Sequence, residues 1–170
     1  TPRLSSAASD VYKRQINHMK NFKSEIRFIE YMDVGESNKW DPSKVVSSES
    51  LLESINEHYS LKRMKTETSS TAKKWHIKDS NSSIGLISSI TQPFCSSCNR
   101  ARLSVDGKLF TCLFASNGFD IKSVIRSDNY EEKLLEFFKK IWMERSDQYS
   151  QIRFSSKRDL PKVEMSYIGG

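Results

Sequence analysis

The chain has 170 residues, of which 36% are hydrophobic, with a net charge of +6 and three cysteines. That length builds one modest core, and with no secretory leader or bilayer-length apolar run, a membrane role and a disulfide framework are both excluded as expectations. The odd thiol count points to a reducing compartment, the cytoplasm, and the basic excess alone argues a solvated surface rather than nucleic-acid binding.

Residues 1–15 are small, polar and without sustained period, and are expected to trail as a tail. The string is similar to translated sequencing-adapter DNA, so it is read as non-native and set aside. Residues 26–32, Ile-Arg-Phe-Ile-Glu-Tyr-Met, are β-prone and nearly continuously apolar, as in a strand covered on both faces. Arg27 and Glu30 interrupt that pattern. A charge there is costly unless paired or facing a ligand, so each is either a rim ion pair or part of a site at the strand's end. Residues 47–59 carry Leu51, Leu52, Ile55 and Tyr59 on one stripe behind serine caps, which predicts an amphipathic helix.

Residues 62–74 are polar and aperiodic, hence a loop. Residues 75–78 and 83–90 predict an antiparallel pair across the turn Asp79-Ser80-Asn81-Ser82. Asp120 is placed to cap a short helix holding Ile121, Val124 and Ile125. Asp128 and Glu131 resemble a capping box that opens a second helix, with Leu134, Leu135, Phe138, Ile141 and Trp142 as its buried stripe. Residues 146–166 are mostly polar, and the sequence ends Met165-Ser-Tyr-Ile-Gly169-Gly170.

Cys95-Ser-Ser-Cys98 and Cys112 are the sequence's densest chemistry. A C-x-x-C turn sets two soft sulfur ligands one site apart, and a third thiol leaves a coordination position open. The residues between Cys98 and Cys112 alternate around Asp106-Gly107, a strong hairpin signal that brings the third thiol back to the knuckle. With a two-residue turn, Cys112 falls opposite Ala101 and the arginines point away from it; a three-residue turn exchanges the faces. Arg100 and Arg102 share one side of an extended segment, where two guanidiniums could grip a phosphate chain or simply be solvated. Zinc would need a fourth protein ligand, and His18, His58 and His76 all lack ligand-like spacing. Three thiolates with an external ligand on an iron–sulfur cluster is the more economical reading.

Taken together, Arg27-Phe-Ile-Glu-Tyr-Met-Asp-Val-Gly, Ile84-Gly-Leu-Ile, Phe94-Cys-Ser-Ser-Cys-Asn-Arg-Ala-Arg-Leu-Ser-Val-Asp-Gly-Lys-Leu, Cys112-Leu-Phe and Met165-Ser-Tyr-Ile-Gly-Gly resemble the C-terminal half of the GTP 3′,8-cyclase family. These are radical S-adenosylmethionine lyases of molybdenum cofactor biosynthesis, and the resemblance runs in order from about Asn17 to Gly170. It implies a second [4Fe-4S] cluster on Cys95, Cys98 and Cys112, whose free iron site takes the guanine of GTP. It also implies GTP contacts from Arg100, Ala101 and Arg102, S-adenosylmethionine contacts from Met32 and more weakly Arg27, and a diglycine, Gly169 and Gly170, that reaches into the active site.

The family reaction converts GTP to (8S)-3′,8-cyclo-7,8-dihydroguanosine 5′-triphosphate through a 5′-deoxyadenosyl radical made at a first [4Fe-4S] cluster. That cluster sits on a C-x-x-x-C-x-x-C motif, which this sequence lacks. The chain is therefore expected to be the substrate-binding half, inactive alone. The implied architecture is α+β: residues 16–46 end an incomplete (β/α) barrel with its last strand, and residues 47–170 form a small antiparallel-sheet and helix domain carrying the cluster. Implied partners are GTP, a second copy if the protein is a homodimer rather than a monomer, and a downstream cyclic pyranopterin monophosphate synthase. The auxiliary-cluster domain of another radical enzyme, a zinc-binding interaction module and a ubiquitin-like carrier are the competing readings.

Overall fold

The computed structural model describes residues 6–152 and 162–168. By contacts the chain forms two compact units, one of residues up to Met32 with Asp41–Ser97, the other of Asp33–Trp40 with the residues from Cys98 onward. Both mix helix and sheet, so the chain is α+β as expected. No described helix is long and apolar enough to cross a membrane.

The first unit is a four-stranded sheet with two helices. β1 (Glu25–Ile29) lies at one edge, followed in space by β4 (Ser83–Ile87), β3 (Lys73–Ile77) and β2 (Leu61–Arg63). β1 runs parallel to β4, with Ile26 opposite Ile84 and Phe28 opposite Leu86, while β3 is antiparallel to both neighbours. The predicted pair across residues 79–82 is thus present, and Asp79 takes the left-handed conformation, φ 60°, that its short side chain tolerates in a turn. Residues expected to be loop supply β2 and the start of β3; pairing of β2 with β3, and of β3 with β4, overrides their polar composition.

α2 (Ser48–Asn56) begins where predicted, with the Ser47 hydroxyl accepting from the Ser50 N–H at 3.1 Å. Its Ile55 meets Ile77, Ile84 and Leu86 in the core, each buried, and each contributes about 1.5–3 kcal/mol by leaving water. α1 (Ser6–Met19) corrects the expectation of a trailing tail. Tyr12 and Ile16, four residues apart on one helical face, are buried in that same core, a spacing too sparse to stand out among the surrounding charged and polar residues. The strand predicted at residues 26–32 also differs. β1 stops at Ile29 and pairs on one side only among the described residues; Ile26 and Phe28 pack on the core from one face, while Arg27 and Ile29, on the other face, are exposed rather than covered.

The second unit carries an antiparallel sheet of β5 (Arg102–Leu103), β6 (Lys108–Phe110) and β7 (Phe119–Asp120), followed by α3 (Ile121–Ile125), α4 (Tyr130–Met143) and α5 (Tyr149–Ile152). Asp120 caps α3 as predicted, accepting from the Ser123 N–H at 3.2 Å. The capping box at Asp128 does not form: Asn129 occupies the cap with φ 53° and no side-chain bond. Of the stripe expected to be buried on α4, Ile141 alone is, whereas Leu135, Phe138 and Trp142 are exposed. Periodicity finds a helix's apolar face but not what covers it.

Candidate metal centre

Cys95 opens a single 3-10 turn, Cys95–Ser97, at the end of the first unit; Cys98 begins the main segment of the second, and Cys112 follows β6 there. All three cysteines are half-buried, and none of them is in a disulfide.

The hairpin between Cys98 and Cys112 resolves the register left open above. Arg102 lies opposite Phe110 and Leu103 opposite Leu109; the Ser104 N–H donates to the Lys108 carbonyl at 2.9 Å, and the Gly107 N–H to the Ser104 carbonyl at 3.0 Å. The loop is therefore Val105-Asp106-Gly107, three residues long, with Gly107 at φ 83° in the left-handed position such loops require. Continued outward, this register sets Arg100 opposite Cys112 and turns the arginine toward the thiols.

Arg100 Nη2 donates to Cys98 Sγ at 3.2 Å, and Arg145, from beyond α4, donates to the same sulfur at 3.4 Å. Burial pushes the Cys98 thiol up, but the backbone N–H and guanidinium of Arg100, aided by Arg145, outweigh it and hold the thiol below its ordinary value. Cys112 Sγ accepts from the Phe114 N–H at 3.4 Å. Among the described residues no three His, Cys, Asp or Glu side chains are gathered to hold a metal ion. The donors nonetheless suit a thiophilic metal in kind, because the cations around Cys98 favour the thiolate that ligates.

The other predicted site residues fall as follows. Arg102 is half-buried on β5 and Ala101 precedes it, exposed. Arg27 Nε lies 2.5 Å from Glu25 Oε1, and Lys74 holds Glu25 Oε2 at 2.6 Å. Its charge is thus matched within the sheet. Met32 is half-buried in irregular chain three residues past β1. Gly169 and Gly170 lie outside the described residues. His18 stacks at a tilt on Phe22, and His76 is on β3.

Glu30, flagged as costly, is a structural clamp. Its carboxylate is buried and accepts from the N–H groups of Ser48, Ile90 and Thr91 at 2.7, 2.9 and 2.9 Å and from the Thr91 hydroxyl at 2.6 Å. Burial raises its pKa, the four hydrogen bonds lower it more, and the net displacement is downward.

Sequence reasoning missed two further constellations in the second unit. Asp33, buried, accepts from the Tyr149 hydroxyl at 2.8 Å and meets Lys162 Nζ at 3.5 Å. Glu164 accepts from the N–H groups of Glu36 and Ser37 at 2.9 and 3.1 Å, over Gly35, where φ is 71° and a Cβ would collide with the carboxylate. Both partnerships span more than a hundred residues, and nothing in local pattern announces them.

The second unit thus presents an α+β frame whose hairpin carries Cys98 and Cys112, with two guanidiniums on the Cys98 sulfur. Residues 24–151 match the family described as Molybdenum Cofactor Synthesis C, and the chain belongs to that family. Proteins named GTP 3′,8-cyclase from Staphylococcus aureus strains JH9, Newman and USA300 are each 44% identical to it over 160 residues, covering 91% of this chain and 47% of theirs. The chain spans about half the length of the curated relatives it matches.

Proposed function

We propose that this chain is the substrate-binding C-terminal portion of a GTP 3′,8-cyclase, with β1 as the last strand of its incomplete barrel. The parallel pairing of β1 with β4 and its edge position support that placement, since a parallel edge is where a preceding barrel strand would add. Cys95, Cys98 and Cys112 would hold a [4Fe-4S] cluster, and such a cluster supplies an iron with a free coordination position for a nucleobase.

The chain's own residues do the rest. Arg100 and Arg102 offer forked donors to the triphosphate, a match of geometry that lysine would not give. Ala101 between them leaves room for the ligand's close approach. Met32 and Arg27 would serve S-adenosylmethionine, and Gly169-Gly170 would let backbone approach the reacting nucleoside. Residues 1–170 hold no C-x-x-x-C-x-x-C motif, so their proposed part in the reaction is to bind GTP rather than to generate the radical.

The observation that carries the reading is Arg100 Nη2 at 3.2 Å from Cys98 Sγ: an anion-binding fork and a metal-binding thiol share one location. Equilibrium dialysis of GTP against the chain, anaerobically reconstituted with iron and sulfide, tests it. Arg100→Ala should weaken GTP by about tenfold, the worth of one charge-assisted hydrogen bond. Unchanged affinity would reject the fork.

A further inference from the structure

Arg145 engages five groups in the second unit: two carbonyls, a thiol, a carboxylate and an aromatic ring. Its side chain is 10% exposed, and it stands just past the end of α4, whose C-cap is Glu144. Nη1 donates to the Cys98 carbonyl at 2.8 Å. Nη2 donates to the Thr111 carbonyl at 2.5 Å and reaches Cys98 Sγ at 3.4 Å. Nε lies 3.3 Å from Asp147 Oδ2, and the guanidinium carbon stands 4.9 Å from the centre of the Trp142 ring.

Each contact has a physical use. Asp147 and the Trp142 ring compensate the charge, so the guanidinium can be buried without an unpaired cation. The rigid fork then spends its remaining donors on two carbonyls from separate segments. One belongs to Cys98; the other belongs to Thr111, whose peptide bond leads directly into Cys112. A single side chain thus fixes the spacing between the two segments that carry these thiols. The contact to sulfur is a different matter, because a purely structural brace needs the carbonyls alone.

We infer that Arg145 is a positioning residue for the metal site: it locks the Cys98 and Cys112 segments together and donates a charge-assisted hydrogen bond to the Cys98 sulfur. The inference rests on the cysteine reading given under Proposed function and adds to it a residue outside the motif. Hydrogen bonds to ligand sulfurs withdraw electron density from the metal, so Arg145 slows metal loss and makes the cluster easier to reduce. Lysine, a point donor without the fork, can reach one of these acceptors but not all of them.

The test reconstitutes the chain anaerobically with iron and sulfide and measures two quantities, the rate of iron release to a chelator and the midpoint potential of the cluster. Arg145→Gln should release iron about tenfold faster, the usual cost of losing such an outer partner, and shift the potential downward. Arg145→Lys should fall between the two in release rate. A folded Arg145→Gln chain with wild-type release and wild-type potential would overturn the inference while leaving the cysteine reading intact. Should that variant fail to fold, wild-type release from Arg145→Lys would overturn it equally. A wild-type chain that takes up no iron would overturn the cysteine reading itself, and this inference with it.

Discussion

The hydroxyl of Tyr167 donates to Asp106 Oδ2 at 2.6 Å, joining the segment before Gly169 to the tip of the cysteine-bearing hairpin. The Tyr167 ring also meets Phe110 edge-on, with centroids 6.3 Å apart, and Ile168 beside it is fully buried. The Ser104 hydroxyl and then Tyr167 lower the Asp106 pKa to about 2. Because the folded value lies below the ordinary one, the linkage favours folding above about pH 4 and is lost as pH falls through about 2. Thermal midpoints followed in acid should show wild type losing stability across that window more than Asp106→Asn does, with Tyr167→Phe between them. Superimposable acid profiles would contradict the linkage.

Glu30 makes the same kind of argument in a buried setting. Removing its carboxylate strands three N–H groups, so Glu30→Ala should cost about 3 kcal/mol in urea unfolding. Glu30→Gln should also destabilise, because an amide must turn its NH2 toward one pair of donors. With the folded pKa lowered, wild-type stability from this group is present above the ordinary carboxylate value and declines as pH falls through the folded one. A Glu30→Gln chain as stable as wild type at neutral pH would refute the clamp.

Gly107 is required twice over. Its φ of 83° strains any other residue, and an added Cβ would stand 2.7 Å from Lys122 Cβ, while its carbonyl already accepts from the Ile121 and Lys122 N–H groups at 3.0 and 3.2 Å. Gly107→Ala should therefore cost about 2 kcal/mol, seen as a lower urea midpoint.

Ile16 tests whether α1 is a working part of the first unit. It is fully buried, so Ile16→Ala should cost about 2–5 kcal/mol, whereas Val11→Ala, at an exposed position, should stay within about 0.5 kcal/mol. Equal, small effects would mean that α1 does not pack on the core.

What could be read in advance followed from local signals. Ser47 and Asp120 announced their helices because a cap and an apolar spacing are adjacent in sequence. Asp106-Gly107 announced a hairpin, but its length hinged on which residue took the left-handed conformation, which a dipeptide does not settle. The family resemblance implied roles for Cys95, Cys98, Cys112, Arg100 and Arg102 that remain proposals, and the geometry adds that Arg100 lies against Cys98.

What stayed hidden depended on distant partners. Glu30 read as a charge in need of an explanation, and its explanation was three backbone N–H groups from other parts of the first unit. Arg145 carried no motif of its own, although Trp142 three residues earlier was a usable hint of a guanidinium held in place. The α4 stripe was overread because an apolar face was equated with a covered one.

The most direct test of the account is the metal itself. After anaerobic reconstitution with iron and sulfide, Mössbauer spectra and iron analysis should give one [4Fe-4S] cluster per chain, lost in Cys95→Ala, Cys98→Ala and Cys112→Ala alike. A colourless protein holding stoichiometric zinc, or iron content indifferent to all three substitutions, would contradict it.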